Sequence, residues 1–318
     1  MVRSVHMLSV GAEWTHLYLG GDDVGLAIAV VCTLLLLLVG LAMVVAWGGL
    51  MVREPSAPGP EVSALRRYLW WANVATVAAL ASGILVAWAG GRLAMRILAA
   101  TSPASAQGRL TEAQANVGFP TIEGSIALLF FGGLPAGFAA AFIFVLIRRW
   151  LPAGRWAGPV LGVLLLLVFG ASVEPFRADN IDFAIVGPGW LSVALFSALA
   201  VLHGAVVAAV AGAFSGRLPL PSGQKWKYYL PLLAAVVFVP AGVVLGVGAL
   251  VVIVGAQLAA AVRARRLRAG GGGAPSVGAP DAARRGGAVD WVGRGVLGVA
   301  AVAALPLFVT AVTSIVSR

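Results

Sequence analysis

Six long runs of apolar residues, none interrupted by an acid, a lysine or an arginine, constrain this chain more than any other feature. They lie at about 24–52, 69–91, 124–147, 157–172, 184–213 and 296–315. A helix needs roughly 20 apolar residues to cross a bilayer. Lipid offers no hydrogen bonds to an open backbone, so runs of this length read as spanning helices. The expected fold class is therefore all-α, a polytopic transmembrane helical bundle. The fourth run is short, and its ends recruit Trp156 and Val173. Residues 1–22 carry a single arginine and no apolar core, and the first run far exceeds the roughly 7–15 residues of a signal-peptide core. It reads as a retained first helix.

Composition agrees. Only 11% of the 318 residues are charged and 60% are hydrophobic, where a soluble domain carries about 25% charged residues. The net charge of +10 does not indicate nucleic-acid binding, because the arginines cluster between apolar runs, as the positive-inside rule places them. Lysine is confined to Lys225 and Lys227, a skew that suggests a GC-rich bacterial genome and hence a bacterial plasma membrane. The lone Cys32 excludes intrachain disulfides, CxxC metal sites and c-type haem attachment.

The run 230–262 is too long for one upright span and too short for two. Pro231 and Pro240 interrupt it. A re-entrant hairpin bent near Pro240 is the favoured reading, and one long tilted helix is the alternative. The choice sets the side of seven arginines: Arg263, Arg265, Arg266, Arg268, Arg284, Arg285 and Arg294. With the N-terminus outside, the inner loops hold Arg53, Arg66, Arg67, Arg148, Arg149, Arg155, Arg217, Lys225 and Lys227, with Glu54 and Glu61. The outer segments hold Arg3, Arg92, Arg96, Arg109 and Arg177, with Glu13, Asp22, Asp23, Glu112, Glu123, Glu174, Asp179 and Asp182. A hairpin would put the seven arginines inside as well. Trp47, Trp70, Trp71, Trp88, Trp150, Trp156, Trp190 and Trp226 fall near run ends and read as an interfacial aromatic belt.

No carboxylate inside a run disfavours an ion-coupled pump. Both lysines are in a loop, which removes a retinal Schiff base, and one intramembrane histidine cannot ligate a b-type haem twice. No cofactor or metal is expected. The candidate ligand-binding residues are Arg92, Arg96, Glu123, Glu174, Arg177, Asp179, Asp182 and His203. Arg92 and Arg96, four apart, share one helix face near the outer rim. Glu123, Glu174, Asp179 and Asp182 are their candidate partners. The group reads either as a vestibule for a polar or anionic ligand or as a salt-bridged clasp between the 92–122 and 173–183 segments. His203, deep in its run, is a functional candidate by default, with a neutral imidazole bonded to a neighbouring helix as the packing reading. Asn73 and Gln257 read as interhelical glue. Ser172 with His203 would suit a serine hydrolase. However, Gly170-Ala171-Ser172-Val173 departs from the rhomboid GxSG turn. Gly133/Gly137, Gly158/Gly162 and Gly242/Gly246 have the GxxxG spacing of close helix pairs.

The segments GGRLAMRILAATS, GFPTIEGSIALLFFGG, RRWLP and DFAIVGPGWLSVALFSALAVLHG resemble those of an uncharacterised family of bacterial polytopic membrane proteins, over about residues 68–217. The resemblance implies a four-helix core with added helices at each end, and no activity. The organisation expected is an N-terminal segment and first helix (1–67), the four-helix core (68–217), a Pro-interrupted hydrophobic segment (218–268), a Gly/Arg-rich linker (269–295) and a C-terminal helix (296–318). The first functional expectation is a non-catalytic membrane scaffold or accessory component, embedded in the lipid bilayer beside a membrane protein partner. A small-solute or lipid carrier or channel is the alternative, and an intramembrane serine hydrolase a third.

Overall fold

A computed structural model describes residues 10–55, 63–177, 179–268 and 279–318. Arg3, Glu61 and the glycine-rich stretch 269–277 lie outside the described residues. So do the side chains of Glu13, Asp22, Asp23, Arg263, Arg266, Arg268, Arg284 and Arg285. Helices account for the architecture: α1 (Val10–Trp47), α2 (Ala64–Thr101), α3 (Ile122–Ile147), α4 (Gly154–Phe169), α5 (Gly189–Ser215), α6 (Leu232–Val237), α7 (Val239–Arg268) and α8 (Ala279–Val316). No strand occurs among the described residues; one isolated bridge joins Leu110 to Asn116. The all-α membrane bundle expected from the runs is the fold observed.

Six helices are long and apolar enough to cross a membrane, but they are not quite the six expected. Val239–Val262 joins the set, while the 157–172 run forms only the shorter α4. The chain leaves α4 at Gly170, whose carbonyl accepts from Phe176 N at 2.6 Å. A helix of α4's length rises only about 24 Å, short of the roughly 30 Å hydrocarbon core.

The centre of the bundle is made of helix backbones in direct contact. Both Gly133 and Gly137 of α3 face Gly83 of α2, and a Cβ on Gly83 would stand 2.7 Å from the Gly133 carbonyl oxygen. Gly158 and Gly162 of α4 face Gly204 and Ala200 of α5 in the same way. Two of the three GxxxG pairs are thus real contacts. The third is half real: Gly242 meets Ala235, whereas Gly246 faces open space. Around these contacts Trp70, Val74, Val86, Phe138, Leu161 and Val206 form the buried core. Where α2 and α3 cross, each contains a π-helical turn, Gly83–Trp88 and Leu129–Gly133.

The 230–262 run folds as two helices joined by a sharp turn. Pro231 precedes α6, the chain turns at Phe238 (φ −83°, ψ 85°), and Pro240 sits in the first turn of α7. Proline is tolerated there because a first-turn N–H has no helical partner to lose. Phe238 stacks on Phe138, midway along α3, with ring centroids 5.5 Å apart. Gly242 then packs back on Ala235, and the Leu245 carbonyl accepts from the Tyr68 hydroxyl at 2.7 Å. Tyr68 stands one turn into α2, so by Leu245 the chain has returned to the end of the bundle from which α6 entered.

This end, with the 48–55, 148–153 and 216–231 segments, is called the hairpin face. The other, with the 102–121 and 170–188 loops, is the loop face. Helix α8 starts beside the hairpin face, where Asp290 pairs with Arg149 at 2.7 Å and Gly293 abuts Trp150. It ends at the loop face, where Phe308 and Ile315 join Phe176 and Phe183 in a second core and Ile315 abuts Gly189.

The tryptophans correct the belt reading in part. Trp156, Trp190 and Trp226 are exposed near helix ends, as a belt requires. Trp70 is fully buried and donates to the Leu218 carbonyl at 3.0 Å. Trp88 donates to the Ser125 carbonyl at 2.8 Å, and Trp71 carries the Arg148 guanidinium 3.9 Å from its ring centre. Trp70 and Trp88 join separate segments because an indole N–H inside a bundle needs an acceptor, and Trp71 does so through the Arg148 cation.

Candidate functional site at the loop face

The 104–118 segment closes as a small irregular hairpin. Gly108 N donates to Val117 O, Val117 N to Arg109 O and Thr111 N to Ala115 O. Gly108 and Gly118 supply the positive φ its bends need, +75° and +86°. Its tip carries Glu112. Opposite, the chain from Gly170 to Gly187 wraps over α4 and is pinned by the buried Phe176 and Phe183. Asn180 caps the short turn that follows, accepting from Asp182 N at 2.8 Å.

The two loops are clasped together. Arg177 donates to the Glu112 carboxylate and lies 2.7 Å from Asp179. Asp182 accepts from Glu112 N at 2.8 Å. A second link lies nearer the helices, where Gly187 N donates to the Ser102 hydroxyl at 2.7 Å. The Glu112 hydrogen bond, reinforced by the Asp179 and Glu174 charges, holds the Arg177 guanidinium above its ordinary value. Burial of the carboxyl raises Glu174, against Arg177 and an Asn180 hydrogen bond that lower it, while Glu112 and Asp182 add to the rise. Burial likewise raises Asp182, with Glu112 adding to the rise and the Glu112 N–H and Arg177 opposing it.

The clasp thus exists, but with other partners than the expected ones. Arg92 and Arg96 form no ion pair among the described residues, and the charges acting on Glu174 and Asp182 are those of Arg177 and the neighbouring acids. Arg177, Glu174, Asp179 and Asp182 are brought together, and Arg92 with Arg96 forms a separate pair on α2. Glu123 is exposed in the first turn of α3, where Thr121 caps Gly124 N at 3.0 Å. Glu112 completes the clasp and was not among the candidates. Its partner stands 65 residues away, and no local spacing marks such a pairing.

His203 lies apart from both groups. It is buried at the α2–α3–α5 junction, its Nε2 3.3 Å from the Ala136 carbonyl and within reach of the Ser82 backbone. A carbonyl only accepts, so Nε2 carries the hydrogen. Gly204, the next residue, packs on Gly158 and Gly162. Ser172 lies beyond the far end of α4, at least two turns from that level, and its hydroxyl donates to the Val168 carbonyl at 3.2 Å. The two are not brought together. Asn73 donates to the Tyr228 carbonyl at 2.9 Å. On the hairpin face a cavity of about 310 Å³ is lined by Leu69, Pro221, Ser222, Trp226, Tyr229 and Leu232, and none of the candidate residues reaches it. Among the described residues no group of three or more potential ligand side chains is placed to hold a metal ion. No family model, curated protein or solved structure matches the chain.

Proposed function

We propose that the chain is a non-catalytic membrane scaffold or accessory component that presents long apolar helices to a second membrane-embedded chain. One observation carries this reading. The interior is closed by backbone contact and its polar groups serve to join helices, while the apolar windows of α1 and α8 are only 11% and 6% buried. His203, Asn73, Trp70, Trp88 and Tyr68 each contact a backbone carbonyl of another segment. Such a core is rigid and leaves its apolar surface free for association, where close packing drives binding between helices. Loop charge supports a bacterial plasma membrane with the hairpin face to the cytoplasm and the N-terminal side of α1 outside, since the arginines of 263–294 then join the other basic inner loops.

The test is native mass spectrometry of the chain extracted gently from its own membrane. A protein partner at fixed stoichiometry is expected. A lone bundle holding one solute would overturn the scaffold and favour the carrier reading. The unpaired Arg92 and Arg96 are what speak for that second reading. Under it, Arg92→Gln or His203→Ala abolishes ligand binding or flux while the folded yield holds.

A further inference from the structure

Arg92 and Arg96 lie one turn apart near the loop-face end of α2, and neither has a carboxylate within ion-pair distance among the described residues. Both are only partly open to solvent. Arg92 Nε and Nη2 are buried without a hydrogen-bond acceptor. Its guanidinium leans on the start of α3, with Nη2 3.5 Å from where a Cβ on Gly124 would stand. Glu123, in the same turn of α3, pairs with neither arginine. Buried donors left without acceptors are costly, and those of a charged group more so. Two like charges one helical turn apart add to the cost.

The surroundings indicate what supplies the missing acceptor. Met95, between the two arginines, is 39% exposed, and Ile122 and Ile126 of α3, on the side away from Gly124, are 75% and 52% exposed. Phe130 and Phe131 continue the apolar surface toward the bundle's mid-depth. Cationic forks at the rim of a bundle whose outer surface is apolar match a molecule with an oxyanion head and a hydrocarbon tail. A guanidinium meets a phosphate with two parallel hydrogen bonds, and two guanidiniums offer enough donors for one phosphate's oxygens.

We propose that Arg92 and Arg96 bind the phosphate of an anionic lipid in the leaflet at the loop face, its acyl chains lying beside Met95 on the apolar outer surface of the bundle. The assignment does not depend on the scaffold reading, since a scaffold and a carrier could each hold such a lipid. The experiment is native mass spectrometry of the full chain released from nanodiscs of equal phosphatidylglycerol and phosphatidylcholine. The wild-type protein retains phosphatidylglycerol preferentially. Arg92→Gln with Arg96→Gln lowers that retention about tenfold, the effect of losing roughly one charge-assisted pair. Arg109→Gln, which removes a charge from the same face outside the pair, leaves it unchanged.

Equal retention of the two lipids by the wild-type protein overturns the proposal, and this arm needs no variant to fold. An Arg109→Gln loss as large as that of the double variant also overturns it, because the effect is then general charge attraction. A third arm separates the sources of phosphate. Wild-type protein in uncharged detergent is heated with inorganic phosphate or with short-chain phosphatidylglycerol. Stabilisation by the lipid alone is expected. Equal stabilisation by inorganic phosphate overturns the lipid assignment.

Discussion

Arg177 meets Glu112 across the two loops and Asp179 within its own, so a single guanidinium joins segments that share no helix. These groups are partly open to solvent, and pairs of that kind contribute modestly. Arg177→Gln therefore leaves the bundle folded and loosens the clasp alone. Hydrogen exchange at the Leu110–Asn116 bridge should quicken a few-fold, with no change in amides of α3 or α5; unchanged exchange at the bridge would remove Arg177 from this role. Acidity adds a second expectation. Glu174 and Asp182 are both raised, so the folded clasp favours their protonated forms. By linkage, this contribution is fully present below the ordinary values of 4.5 and 3.8. It is lost as pH rises through the higher folded values. Bridge protection, corrected for intrinsic exchange, should rise as pH falls from 7 toward those ordinary values, and Asp182→Asn should flatten the slope. Protection that falls on acidification would contradict the burial of these carboxyls. That acids cluster on this loop was readable from VEPFRADNIDF, and His203 as a bond between helices was a stated reading. Which acid meets which arginine was not readable, because Arg177 and Glu112 are joined by the path of α3 and α4 between them.

At the level of the element, glycine spacing alone does not separate contact from chance. Gly162 and Gly246 each close a GxxxG, yet Gly162 lies against the α5 backbone and Gly246 against nothing among the described residues. The sequence could not distinguish them, since what faces a helix depends on its partner's register. Replacement by leucine tells them apart. At Gly162 the new side chain meets backbone, which cannot rotate away, and overpacking typically costs about 1–3 kcal/mol even where side chains can shift. Gly162→Leu should lower the unfolding temperature or the folded yield sharply. Gly246→Leu should leave both near wild type, and an equal loss there would mean that α7 is covered by something beyond this chain. Proline shows the same dependence on partners. Pro231 and Pro240 were legible as a bend, but both begin helices here, and the turn itself falls on Phe238.

For the whole molecule, the hairpin decides on which side the basic 263–294 segment emerges. A run of 33 residues from Leu230 to Val262 is compatible with one crossing or none, and hydropathy cannot choose. Pairings far apart in sequence favour the hairpin: Phe238 on Phe138, and Tyr68 to Leu245. Two further contacts, independent of these, agree. Asp290 on Arg149 and Gly293 on Trp150 place the start of the last span at the same face. If α7 crossed instead, α8 would have to begin at the loop face, and its charged first half would lie there. Single cysteines decide this. With Cys32 replaced by serine, Lys225→Cys, Arg265→Cys and Arg109→Cys variants are treated with an impermeant maleimide on sealed vesicles of one orientation. Lys225→Cys and Arg265→Cys should react from one side and Arg109→Cys from the other. Labelling of Arg265→Cys together with Arg109→Cys would require α7 to cross. The Phe238 turn would then have to open, and the basic residues of 263–294 would sit against the positive-inside bias that the remaining loops follow.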